Sequence, residues 1–195
     1  MMTGGGRTAD PERRRRSVRS MTVQEVHRSA PLEPAARVIT SLVALVVVGE
    51  SLLLAFLADG GLVVLVGAPS LFVAVLMLPL AFSPAGYALG AHDLAVTRRA
   101  ARPLLFPLVG LAAARTTAMP RSRRRLGSGG LFGWWGWFSN RHWGRFKVYA
   151  TDRRRGVLLE WPGYKLFVSP ADPEALCRAV LARSGAGRAR RGDRA

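Results

Sequence analysis

Basic and aromatic side chains crowd one stretch of this chain. Arg121, Arg123, Arg124 and Arg125 precede Trp134, Trp135 and Trp137, and Arg153, Arg154 and Arg155 follow them. A guanidinium is a planar fork of donors that matches phosphate and carboxylate oxygens. An indole joins an apolar face to a polar N–H, so the mixture suits an anionic partner, a stacked base or a membrane interface. Arg141, Arg145 and Lys147 interleave with Phe138, Trp143 and Phe146 in the same stretch. The expected division sets Trp143 and Phe146 nearer a core and turns Trp134, Trp135 and Trp137 toward lipid or a partner, because glycine-rich loops expose their tips. The two arginine runs then form one basic surface. The plain alternative is a merely solvated face, with half of the rings filling the interior.

Other reactive patterns are missing from the sequence. His27, His92 and His142 lack the spacing of metal ligands or of a catalytic base. Cys177 is the only cysteine, which excludes an internal disulfide and a four-cysteine zinc site. No phosphate-loop, dinucleotide-fold or HExxH pattern occurs. The expectation is a non-enzymatic protein with no catalytic residue, cofactor or metal.

Glu50 is the only charge in VITSLVALVVVGESLLLAFL, residues 38–57. At about 1.5 Å per residue this segment spans roughly the 30 Å of a bilayer core, where an unpaired carboxylate is costly. A protonated acid bonded to Ser51, Ser70 or a backbone carbonyl would satisfy that constraint, and so would contact with a membrane-protein partner. The uncharged run 61–82 is long enough to return, so residues 37–83 are expected to form a transmembrane hairpin with spans at about 38–57 and 61–82. Arg28 and Arg37 precede the first span, and Arg98, Arg99 and Arg102 follow the second. By the positive-inside tendency both termini then lie in the cytoplasm, as in a multi-pass protein of the inner (plasma) membrane.

The elements that must position the arginines and tryptophans come after this hairpin. Short runs of β-favouring residues over 84–183 predict strands near 86–89, 94–98, 102–106, 111–117, 143–150, 156–160 and 164–168. Pro120 to Gly130, PRSRRRLGSGG, reads as a flexible basic loop, and Arg153 to Arg155 as a hairpin turn. Asp172-Pro173-Glu174 opens a final helix with an N-cap, a proline at the first helical position and an acid near the positive dipole end. About seven strands and one helix predict a bent sheet or partial barrel with the helix plugging an open end. Residues 1–36 and 184–195 read as disordered basic tails.

The order of a membrane hairpin, then PAGY (84–87), GLFGWWGWF (130–138), GRFKVYATDRRRGVLLEW (144–161) and VSPADPEAL (168–176), resembles bacterial PH-like domain proteins with two membrane spans. The resemblance covers about residues 38–183. It implies a membrane α-helical hairpin followed by a mainly β PH-like barrel of about seven strands with a C-terminal capping helix, and no known enzymatic activity. Eukaryotic PH domains hold an inositol head group with basic residues around their first hairpin. The corresponding turn here, Gly90-Ala91-His92-Asp93, has no Lys or Arg.

A net charge of +17, from 29 Lys and Arg against 12 acids, calls for an anionic neighbour. The expected function is a membrane-anchored binding or scaffold protein that docks on anionic phospholipid or a protein partner at the cytoplasmic face. The competing functions are a membrane-tethered nucleic-acid binder and a small accessory subunit of a transport or secretion complex. A lipid-docked domain turns its basic loops toward the membrane, whereas a nucleic-acid binder turns them away.

Overall fold

The computed structural model describes residues 25–57 and 76–185. Among them are ten strands and two long helices: β1 (Glu25–Arg28), α1 (Pro34–Leu57), β2 (Pro84–Leu89), β3 (Asp93–Arg98), β4 (Leu104–Pro107), β5 (Ala113–Thr117), β6 (Arg123–Gly130), β7 (Gly133–Asn140), β8 (Gly144–Ala150), β9 (Gly156–Trp161), β10 (Tyr164–Val168) and α2 (Pro173–Ser184). Residues 76–82 are also helical. One sheet has the order β1-β2-β3-β4 and the other the order β5-β9-β10-β8-β7-β6. All pairings are antiparallel except β10 with β8.

The large sheet buries apolar residues on both faces, as the alternation of its central strands requires. Val157, Leu159, Leu166 and Val168 pack with Tyr87, Leu94 and Val96 of the small sheet and with Leu176, Cys177 and Val180 of α2. On the opposite face Leu158, Phe167, Val148 and Phe146 pack with Trp134, Phe138 and Trp143, under Ala36 at the start of α1. The mainly β architecture with a C-terminal helix agrees with a PH-like domain. The α2 cap also follows the expectation. Asp172 accepts from Ala175 N at 2.9 Å, and that bond holds its carboxyl below the usual carboxylate range.

Three expectations are corrected. The segment Pro120 to Gly130 is mostly strand β6, because Gly127 and Gly136 pair across β6 and β7 and let the backbones approach. A Cβ on Gly127 would lie 2.0 Å from Trp135 O, and both glycines have φ near +112° (112° and 113°), which favours glycine. Arg153 to Arg155 do not turn a hairpin, since β10 lies between β8 and β9 in the sheet. The tail expected over 1–36 contributes structure from residue 25 onward. β1 pairs with β2, Ala30 N donates to Ser169 O (2.9 Å), Ala171 N to Arg28 O (2.8 Å) and Glu33 N to Thr151 O (3.0 Å). Residues 1–24 and 186–195 lie outside the described residues.

Among the described residues one helix, α1, is long and apolar enough to cross a membrane. The expected second span, 61–82, is described only over 76–82, so the two-span hairpin is not established. Beyond Thr40 the large side chains of α1 are mostly exposed, Leu45 at 69% and Phe56 at 88%. Glu50 is exposed on this helix, and the Ser51 hydroxyl donates to Val47 O (2.7 Å), a bond within the helix. Ser70 lies outside the described residues.

Candidate functional site

The expected basic surface divides into two regions with different electrostatics. In the first, each arginine of the run 153–155 faces an acid. Arg153 Nε lies 3.3 Å from Glu33 Oε2, Arg154 Nε 3.3 Å from Asp152 Oδ1, and Arg155 Nη2 2.8 Å from Glu174 Oε2. Glu33 is buried, and Arg153 also stacks over Trp134 with its guanidinium carbon 4.3 Å from the ring centroid. This run fastens the base of α1 and the start of α2 to the β8–β9 connection. Its charge is largely answered within the chain.

The second region is an open depression of about 830 Å³ at one end of β6, β7 and β8. Arg121, Arg123, Arg125, Arg141 and Arg145 line it, with His142. Among the described residues no acid forms an ion pair with any of these five arginines. Strand register explains the convergence. Arg123 pairs with Ser139, and Ser139 with Arg145, which puts the two arginines on one face in a single cross-strand row. A bulge between Arg124 and Leu126 shifts the register there. Arg125 Nε donates to Ser139 Oγ (3.0 Å), whereas Arg124 Nη1 donates to Gly127 O (3.2 Å) and does not line the depression.

Asn140 builds the floor. Its Oδ1 accepts from His142 N (2.9 Å) and Trp143 N (2.6 Å), which closes the β7–β8 turn, and its Nδ2 donates to Ser122 Oγ (2.9 Å). That last bond ties the turn carrying Arg141 to the connection carrying Arg121. Arg145 lies 5.5 Å and Lys147 5.0 Å from the Trp137 ring centroid, so the indole supports two cations beside the depression.

The tryptophans do not form the expected exposed tip. Trp134 is 3% exposed in the core, and Trp135 is half-buried against Phe82 at 5.6 Å between ring centroids. Trp137 is half-buried beneath Arg145 and Lys147. The β6–β7 tip consists of Leu131 and Phe132, and it rests on α1, where Phe132 N donates to Thr40 Oγ1 (3.1 Å). The arginine depression therefore lies at the opposite end of these strands. From Gly133 to Asn140 the rise is roughly 23 Å at about 3.3 Å per residue.

Sequence reasoning assigned Arg121, Arg123 and Arg125 to the basic surface and left out the contribution of Arg141 and Arg145. The Asn140 to Gly144 turn after an aromatic strand was the signal that would have joined them. Glu33 was missed because it looked like part of a tail.

Among the described residues no three His, Cys, Asp or Glu side chains gather as metal ligands would. No curated protein and no solved structure matches the chain. Residues 112–184, the segment from β5 through α2 that carries the arginine depression, match the family model described as Bacterial PH domain, and over that segment the chain is similar to this family and supports a PH-like domain.

Proposed function

We propose that this chain is a membrane-anchored PH-like binding or scaffold protein without enzymatic activity. The helix α1, with residues 61–82 as a returning span, holds the β-domain at the cytoplasmic face of the plasma membrane, where it docks an anionic lipid or a protein partner. The observation that carries the anchoring is α1 itself. It continues past its contacts with β6 and the β6–β7 turn as an apolar helix whose large side chains are mostly exposed, a state that water penalises and lipid does not.

Two observations favour a partner over the lipid surface. The run 153–155, which Arg153 joins to Glu33 at the base of α1, is already paired with acids, and the unpaired arginines of the depression sit roughly 23 Å, or between two and three Debye lengths of about 8–10 Å, from the turn that meets the anchor. Lipid headgroups near that turn are then screened from them.

Fractionation of cells producing the full chain, followed by a carbonate wash and detergent extraction, tests the anchoring. The expected result is retention through the wash and release by detergent. Release by carbonate alone would overturn the anchored reading.

A further inference from the structure

We propose that the depression lined by Arg121, Arg123, Arg125, Arg141 and Arg145 is a binding site for a compact, soluble anion carrying several phosphate groups. This goes beyond docking on lipid or a protein by adding a soluble ligand, and it rests on the β-domain being a binding module but not on α1 being in a membrane.

Three observations point to this ligand. The first is charge concentration. Five guanidinium groups surround one depression of about 830 Å³, within the size range of small-molecule sites. Like charges so close repel, and among the described residues no carboxylate is paired with them. Elsewhere the same fold does supply acids to its arginines, at Arg153, Arg154 and Arg155. A ligand anion is the complement this site lacks.

The second is order. Arg125 is held by its bond to Ser139 and Arg145 by the face of Trp137, and Asn140 closes the backbone turn that carries Arg141 and ties it to Ser122. Preorganised donors lose less freedom on binding, which separates a site from a merely solvated basic face.

The third is the match of charge density. An extended acidic peptide presents carboxylates on one face only every 6–7 Å or so, since side chains alternate along a strand. Adjacent phosphates place several oxygens and negative charges within a few ångströms. They match planar guanidinium forks bidentately, and every basic group that reaches the depression apart from His142 is an arginine. The distance of the depression from the α1 contacts leaves it open to a ligand in solution.

Titration of the full chain, in discs of uncharged phosphatidylcholine, with inorganic triphosphate tests the proposal, read by calorimetry and by tryptophan fluorescence, to which Trp137 beside the depression contributes. Saturable one-to-one binding is expected. It should fall by about tenfold or more in the variant Arg123→Ala with Arg145→Ala, because each lost charge-assisted fork is a strong contact. Arg123→Lys, which keeps the charge and the fold but not the fork, should fall by less. Sulfate at equal ionic strength should not compete appreciably. Absence of saturable binding, or equal binding by wild type and the double variant with unchanged circular dichroism, would overturn the site. A single-stranded oligonucleotide that binds far more tightly than triphosphate at equal phosphate would replace the ligand class with nucleic acid. Loss of triphosphate binding when phosphatidylglycerol is included in the discs would replace it with a lipid surface. Membrane retention measured on the same variants separates the two readings: the double variant should stay anchored, and failed retention of wild type would remove the anchor without touching the triphosphate result.

Discussion

Tyr87 shows how one side chain joins the two sheets. Its hydroxyl donates to Tyr149 O at 2.7 Å and accepts from Ser169 N at 3.0 Å, and the residue is fully buried. Burial pushes the phenol up to about 12 from an ordinary 10.0. Tyr149 and Tyr164 are also raised, by burial first. Because the folded-state values lie above the unfolded ones, this contribution is fully present below pH 10 and is lost as pH rises toward 12. Thermal denaturation followed by circular dichroism should therefore show the midpoint falling above pH 10. The change Tyr87→Phe removes the hydroxyl and strands both backbone groups in the interior. It should cost about 1–3 kcal/mol in denaturant unfolding and flatten part of that alkaline loss. An unchanged alkaline slope would assign the loss to the other tyrosines.

Among the elements, the segment before α1 is the one whose role differs most from its appearance in sequence. Residues 25–33 carry no clear apolar periodicity, since their value lies in backbone bonds to β2, to residues 169–171 and to Thr151, which no side-chain pattern encodes. The strands with alternating or continuous apolar residues, β8, β9 and β10, were legible within about one residue at each end, and so was α2 through its cap. The strand β6 was not, because RRRLGSGG has the composition of a loop and becomes a strand only when Gly127 meets Gly136. The candidate site was legible in type and only partly in membership. Three of its arginines come from one run, but the register that adds Arg145 depends on sheet pairing.

At the base of α1, Arg153 depends on one buried acid. Glu33 accepts from both Arg153 N and its guanidinium, at 3.3 Å each, so Glu33→Ala leaves Arg153 against Trp134 without its acid. A loss of about 1–2 kcal/mol is expected in denaturant unfolding. That is less than for a fully buried pair, because Arg153 keeps solvent contact. The amides of residues 33 and 37, which donate to Thr151 O and to the residue 33 carbonyl, should lose protection from hydrogen exchange with it. A stability change with protection intact would mean that the segment before α1 is held by its backbone bonds alone.

Over the whole molecule the arrangement of charge matters more than its sum. A net +17 would draw any polyanion toward the protein by long-range attraction, and that attraction does not depend on which arginine supplies the charge. Local pairing breaks this equivalence. Arg154 and Arg155 are held by Asp152 and Glu174, whereas Arg123 and Arg145 meet no acid among the described residues. Two double variants, Arg154→Ser with Arg155→Ser and Arg123→Ser with Arg145→Ser, lower the formal charge equally and so have the same long-range effect. If attraction by net charge governs association, both should slow it alike and the difference from wild type should fade together with added salt. If the depression is a site, the first pair should leave affinity for an anionic probe within about twofold, and the second should lower it by about tenfold or more, mostly through faster dissociation. Stopped-flow association and dissociation measured at two salt concentrations distinguishes the cases. Equal loss in both variants would reduce the basic face to a steering surface, because the only property the two variants share is their net charge.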